Sequence, residues 1–207
     1  LAVNEGFLET AVLRENVVKL ARLLGYTPKS ARSATTTVDI SVQTVFPYPL
    51  TVTMAAGLVL NFTGLDNNNF VFSLPNDSTV SVDSLTGIAT FKNVVLSEGL
   101  FLTDTFVRNT NERQRFILTN PNADTSSMIV KVTSGTIQER YLQATDITKI
   151  DSTSKVYFLE ESELGVPEVL FGDGVIGKNL EDGDVVEVKY TTSSGSSANG
   201  LKVFENI

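Results

Sequence analysis

From Phe7 to Leu24, apolar residues recur at Leu8, Val12, Leu13, Val17, Leu20, Ala21 and Leu24. This i, i+3, i+4 spacing predicts an amphipathic helix. Glu9, Arg14, Glu15, Lys19 and Arg22 form its charged side, and Gly25 and Pro28 are placed to end it. Val18 and Leu23 fall off the main stripe, so the apolar surface is wider than one contact needs. Two arrangements satisfy it. The helix is buried on two sides within its own chain, or it packs on another subunit through Val17, Val18, Leu20 and Leu24.

After Ser33 the period changes to two. Val38, Ile40 and Val42 alternate with polar residues, as do Leu50, Val52 and Met54, then Phe70, Phe72 and Leu74, then Val80 and Val82, and later Val186, Val188 and Tyr190. Each run is short, rich in Val, Thr and Phe, and bounded by Pro, Gly, Asn or Asp, which predicts antiparallel strands with one wet face. Residues 138–149 have room for a short helical turn. The Asn-Thr-Asn run at 109–111 interrupts the strand pattern. The expected fold is therefore α+β and mostly β: a helical segment at 1–33, a β-rich module at 34–110 and a second at 111–207. Ser193–Gly200 (SSGSSANG) is small and polar, as in a flexible loop.

Composition narrows the function. The 207 residues include neither Cys nor His, which removes disulfides, thiolate chemistry and the commonest general base and metal ligand. The net charge of −8 argues against nucleic acid, whose phosphates need clustered Lys and Arg. No stretch is long and apolar enough for a membrane helix, so no membrane partner is expected. An enzyme would have to rely on carboxylates, with Glu161 and Asp184 as the candidates for glycoside hydrolysis. An interaction protein without catalytic residues is the expectation.

The segment Phe171–Lys178 (FGDGVIGK) satisfies G-x-G-x-x-G and nearly satisfies the phosphate-loop pattern. Both patterns need a helix next, yet Asn179–Asp184 and another strand follow, and Asp173 sets negative charge where phosphate would lie. A tight turn system is expected instead, with Asp173-Gly174 and Asp182-Gly183 at positive φ and Gly172 and Gly177 closing it. Asp173, Asp182 and Asp184 lack the spacing of a helix-loop-helix calcium site. Glu160, Glu161 and Glu163 read as a solvated acidic loop. In Asn111–Arg115 (NERQR), Arg113 and Arg115 either guard a strand edge against aggregation or contact an acidic neighbour.

Three segments together carry a resemblance: LLGYTPKS at 23–30, NERQRF at 111–116 and VLFGDGVIGKNLEDGDVVEVKY at 169–190, followed by Gly195 and Asn199-Gly200. They resemble the baseplate wedge proteins of T-even-type contractile-tailed phages, within the wider baseplate J-like family. The likeness covers most of the chain and is strongest over 111–204. It implies a structural protein of the virion, assembled in the host cytoplasm, that pairs with itself and with other baseplate wedge proteins to form a ring. It implies no cofactor, metal or small-molecule substrate. Members of that family are longer than 207 residues, so a fragment is expected. A carbohydrate-binding β-sandwich, with Tyr26, Tyr48 and Tyr141 as the available isolated tyrosines, is the alternative.

Overall fold

A computed structural model describes residues 6–23, 30–63, 69–112, 114–162 and 165–199. The expected Leu24, Gly25 and Pro28 helix end, together with Tyr26, Arg113 and Glu163, lies outside these residues. So do the side chains of Glu15, Lys19 and Leu23.

The helix is shorter than its periodicity suggests. Only α1 (Arg14–Leu23) is helical, a run of 10 residues. Before it, Thr10 and Ala11 donate their N–H groups to the Phe7 carbonyl in an isolated turn. Helical bonding starts at Leu13, whose carbonyl accepts from Asn16 and Val17. Leu8, Val12 and Leu13 keep the helical spacing in sequence yet are exposed. A lone turn satisfies the same periodicity without cooperative extension, and β-branched Thr10 and Val12 disfavour extension.

The rest is β structure in two compact units, each assembled from separated stretches of chain. The smaller consists of Ala31–Leu102 with Thr191–Ile207, and the larger of Leu1–Ser30 with Thr103–Tyr190. The contiguous boundaries expected at 33/34 and 110/111 do not match this division. A polar interruption such as 109–111 marks a loop, and nothing in local composition shows that a chain leaves a unit and later returns.

In the small unit, β1 (Thr35–Gln43), β2 (Thr51–Met54), β3 (Val59–Thr63), β4 (Asn69–Ser73), β5 (Ser78–Ser81) and β6 (Ile88–Glu98) pair only antiparallel. The main sheet has the order β1-β6-β4-β3, and β2 pairs with β5. The alternation predicted for β1 holds. Val38, Ile40 and Val42 face a core of Met54, Phe62, Phe72, Leu74, Ala89, Phe91, Val94 and Leu96. A bulge at Val38/Ile40 lets the Asp39 carboxylate accept the N–H of Asn93, a non-glycine residue at φ 55°. Leu50 departs from its predicted inward position. Its strand begins at Thr51, and Leu50 sits in the preceding turn, fully out in solvent.

Residues 191–199 complete this unit instead of forming the flexible loop expected. Gly195–Ala198 is a 3-10 turn with Ala198 buried, and both oxygens of the buried Glu98 carboxylate accept the Ser194 N–H (3.2 and 3.1 Å). Close packing explains the order. A Cβ at Gly99 would fall on the Thr192 carbonyl.

The second sheet has seven strands in the order β7-β13-β9-β10-β11-β12-β8. They are β7 (Phe101–Val107), β8 (Arg115–Ile117), β9 (Ala123–Ser134), β10 (Ile137–Gln143), β11 (Val156–Glu161), β12 (Pro167–Phe171) and β13 (Val185–Thr192). In residues 138–149 the first half is strand, and the short helical turn expected there is a 3-10 turn at Ile147–Lys149. β10 and β11 run parallel, whereas β9–β10, β11–β12 and β12–β8 are antiparallel. Val186, Val188 and Tyr190 are fully buried, as their alternation predicts. Phe116, Phe171 and Tyr141 form a chain of near-perpendicular ring contacts with centroids 5.6 and 5.4 Å apart.

Two glycines at positive φ separate conformational from steric cost. Gly57→Ala, at φ 87° with open space around the position, is expected to cost about 1 kcal/mol. Gly99→Ala also has to displace the Thr192 backbone and is expected to cost about 3 kcal/mol or more. Urea denaturation of the two variants beside the parent checks the order.

Candidate functional site

The 171–184 segment is a bracket built from glycine and aspartate. Gly172 has its Cα against the Gly177 carbonyl, where any side chain would collide. Gly174, Gly177 and Gly183 take φ of 89°, 85° and 83°, the left-handed values expected of the first and last from their Asp-Gly context. The Asp173 carboxylate accepts the N–H groups of Val175 (2.9 Å) and Ile176 (3.0 Å), and Gly174 donates to the Gly177 carbonyl. The bracket is anchored on the 151–155 turn. There Gly177 and Lys178 donate to the carbonyls of Asp151 and Ser154, while the Asp151 carboxylate holds Thr153 and Ser154.

This geometry uses its carboxylates internally. Asp182 accepts the N–H (2.9 Å) and hydroxyl (3.2 Å) of Thr110, and buried Asp184 accepts the Glu181 N–H (2.9 Å). Asp173 and Asp184 thus close two different turns, while Asp182 ties its turn to the 109–111 loop. Among the described residues no group of three or more acidic side chains is placed to hold a metal ion. The strand β13 follows the bracket, so the glycines are not backed by a helix N-terminus that could cradle phosphate. Beside the exposed Asp173, Asn179, Glu181 and Asp182, the bracket presents two apolar side chains: Val175 is 72% exposed and Ile176 41%.

Arg115 proves to have an acidic partner on its own chain. Its Nε donates to Glu168 Oε2 at 3.0 Å and its Nη2 to Oε1 at 2.5 Å, a two-pronged pair across β8 and β12. Glu168 is completely buried, whereas the Arg115 side chain is 39% exposed. The acid stands 53 residues away in sequence, so the NERQR pattern alone cannot reveal it. Of the other proposed contact residues, Val17, Val18 and Leu20 are half-buried on α1.

Two features escaped sequence reasoning. One is a buried hydroxyl–carboxylate network. Asp104 Oδ2 accepts the Tyr190 hydroxyl (3.0 Å) and the Thr119 N–H (2.7 Å), and Oδ1 accepts the Thr119 hydroxyl (2.7 Å). Its one visible sign is a charged residue at an inward strand position. The other is an apolar tip on the small unit, where Val45, Phe46, Leu50 and Leu85 are exposed. Pro47 and Pro49 mark a turn, but sequence does not say which way its apolar residues point. Of the tyrosines considered for sugar stacking, Tyr141 is buried and Tyr48 lies against Gly87.

Among the described residues no helix is long and apolar enough to cross a membrane. Comparison with known proteins finds no matching family model and no matching curated protein.

The Glu168 pair and the buried tyrosines set measurable energetics. Arg115→Leu leaves a carboxylate buried without its partner and is expected to cost about 3 kcal/mol. The double replacement R115L/E168L recovers most of that loss, as a double-mutant cycle in urea would show. Burial chiefly, then the negative charges of Glu139 and Asp184, pushes the Tyr141 hydroxyl up to about 12. Burial also raises Tyr157 and Tyr190. A raised phenol favours the folded state below its unfolded value near 10, and the benefit is lost as pH climbs from about 10 to 12. Denaturation midpoints should therefore fall steeply above about pH 10, and less steeply in Tyr141→Phe.

Proposed function

We propose that this chain is a structural component of a contractile phage-tail baseplate. There it associates with itself and with neighbouring wedge proteins to form a ring around the tail hub. Its place is the virion, reached after assembly in the host cytoplasm. It performs no catalysis; its working parts are surfaces.

The observation that carries this reading is the form of the 171–184 bracket. This segment lies within the stretch where the family resemblance is strongest, and the Asp173, Asp182 and Asp184 carboxylates are spent on hydrogen bonds within the chain while Val175 and Ile176 point outward. A ligand site would keep polar groups available, whereas a docking point needs a rigid, low-entropy presentation of apolar side chains. The fully buried Glu168 and the Asp104–Thr119–Tyr190 network support the same reading, because they stiffen the sheet behind the bracket. Ring rearrangement during sheath contraction would then move each unit as a rigid body, with the change absorbed at contacts between subunits.

Crosslinking mass spectrometry on intact particles tests the assignment. Crosslinks from this chain to itself and to other tail proteins are expected; crosslinks confined within the chain, in particle-free fractions only, would overturn it. Val175→Asp combined with Ile176→Asp should leave the melting temperature within a few degrees of the parent. Its incorporation into particles, read by quantitative immunoblot, should fall about tenfold or more.

A further inference from the structure

Two loops meet at one end of the small unit. Residues 44–50 lead from β1 to β2, and residues 82–87 lead from β5 to β6. They are tied together by Thr44 N–H to the Gly87 carbonyl (2.9 Å), the Gln43 side-chain amide to the Thr86 carbonyl (3.0 Å) and Val82 N–H to the Leu50 carbonyl (3.0 Å). The Tyr48 ring lies on Gly87, and Phe46 stands edge-on to it at 5.6 Å. From this fixed platform project Val45, Phe46, Leu50 and Leu85, exposed by 84, 79, 89 and 89%. These are the values of nearly free side chains, on loops whose backbone is already pinned.

We propose that this tip is a self-association contact, occupied by the same tip of a second copy of the chain. The proposal specifies one contact within the assembly reading above and does not depend on the identity of the particle. Two arguments select the occupant, and the first is charge. The chain carries −8 overall, so two copies repel wherever their acidic surfaces meet. Residues 44–50 hold no charged side chain, and residues 82–87 hold only Asp83. The Asp83 carboxylate is turned back onto the N–H groups of Leu85 (2.8 Å) and Thr86 (3.2 Å). An uncharged apolar surface complements itself, which a twofold contact between identical patches requires. A bilayer is a poorer match, because neither loop offers Lys or Arg to phospholipid headgroups.

The second argument is area. The four side chains expose roughly 100 Å² of apolar surface each, or about 400 Å² per copy, already a large patch for a monomer. Pairing two tips removes about 800 Å² from these side chains alone. The exposed Pro47 and Pro49 at the rim bring the total to about 1,000 Å², the threshold for a specific contact.

Sedimentation equilibrium of the 207-residue chain between about 1 µM and 1 mM, in low and high NaCl, tests the proposal. A monomer–dimer equilibrium is expected that tightens with salt, because screening weakens the residual repulsion while apolar contact persists. Leu50→Ser combined with Leu85→Ser should raise the dissociation constant at least about tenfold with an unchanged melting temperature. If that variant melts early, Val45→Ser supplies the same test at a third exposed residue of the tip. Three results overturn the proposal. A parent chain that stays monomeric to about 1 mM removes the contact. Variants that dimerise as tightly as the parent move the contact elsewhere and leave the assembly reading standing. Co-flotation of the parent with phosphatidylcholine vesicles, lost in the double variant, assigns the tip to lipid instead.

Discussion

Backbone N–H groups at the ends of strands have no ladder partner, and a β protein with many short strands has many of them. Among the described residues, this chain supplies aspartate more often than any other side chain as the acceptor. Asp83, Asp146, Asp151, Asp173 and Asp184 each take backbone N–H groups within two or three residues, and Asp104 and Asp182 tie more distant residues. With no Cys for disulfides and no His for a metal, the folded loops depend on these bonds. Hydrogen bonding holds the Asp83, Asp146, Asp151 and Asp173 carboxyls below their ordinary value, so these four accept their bonds as anions through neutral and mildly acid pH. The acidity of the chain is thus largely an architectural feature.

Legibility in the sequence followed the range of the interaction concerned. Local geometry was readable. Asp173-Gly174 and Asp182-Gly183 take the left-handed values their type demands, and the alternation at 186–190 buries Val186, Val188 and Tyr190. Interactions between distant residues were not. Glu168 belongs to Arg115 only because β12 lies beside β8, and Ser194 is ordered only because Glu98 is buried beneath it. The helix shows an intermediate case. Periodicity located it but could not separate the turn at 7–11 from the continuous run at 14–23, because both keep apolar residues three and four apart.

The same distinction governs the reading of function. The glycine-rich segment suggested two ligand-binding patterns, and its structural context decides against both. Glycine is needed at Gly172 to let one strand of the turn touch another, and at Gly174 and Gly177 to reverse direction. What remains outward includes Val175 and Ile176, beside the exposed Asp173, Asn179, Glu181 and Asp182. A turn whose aspartates are committed to hydrogen bonds within the chain, and which holds two apolar side chains outward, offers less to a small molecule than to another rigid surface.

The interleaving of the two units bears on synthesis. A ribosome delivers residues 31–102 before the stretch 103–190, yet the small unit is closed by residues 191–199, which follow it. The Gly99 backbone cannot meet Thr192, nor Glu98 find Ser194, until the whole of the larger unit has been translated. Vectorial folding, in which an N-terminal unit matures before its successor emerges, is closed to this topology. The nascent small unit must wait with its final turn missing while some ninety residues are added, and it closes only after the larger unit's residues have been made.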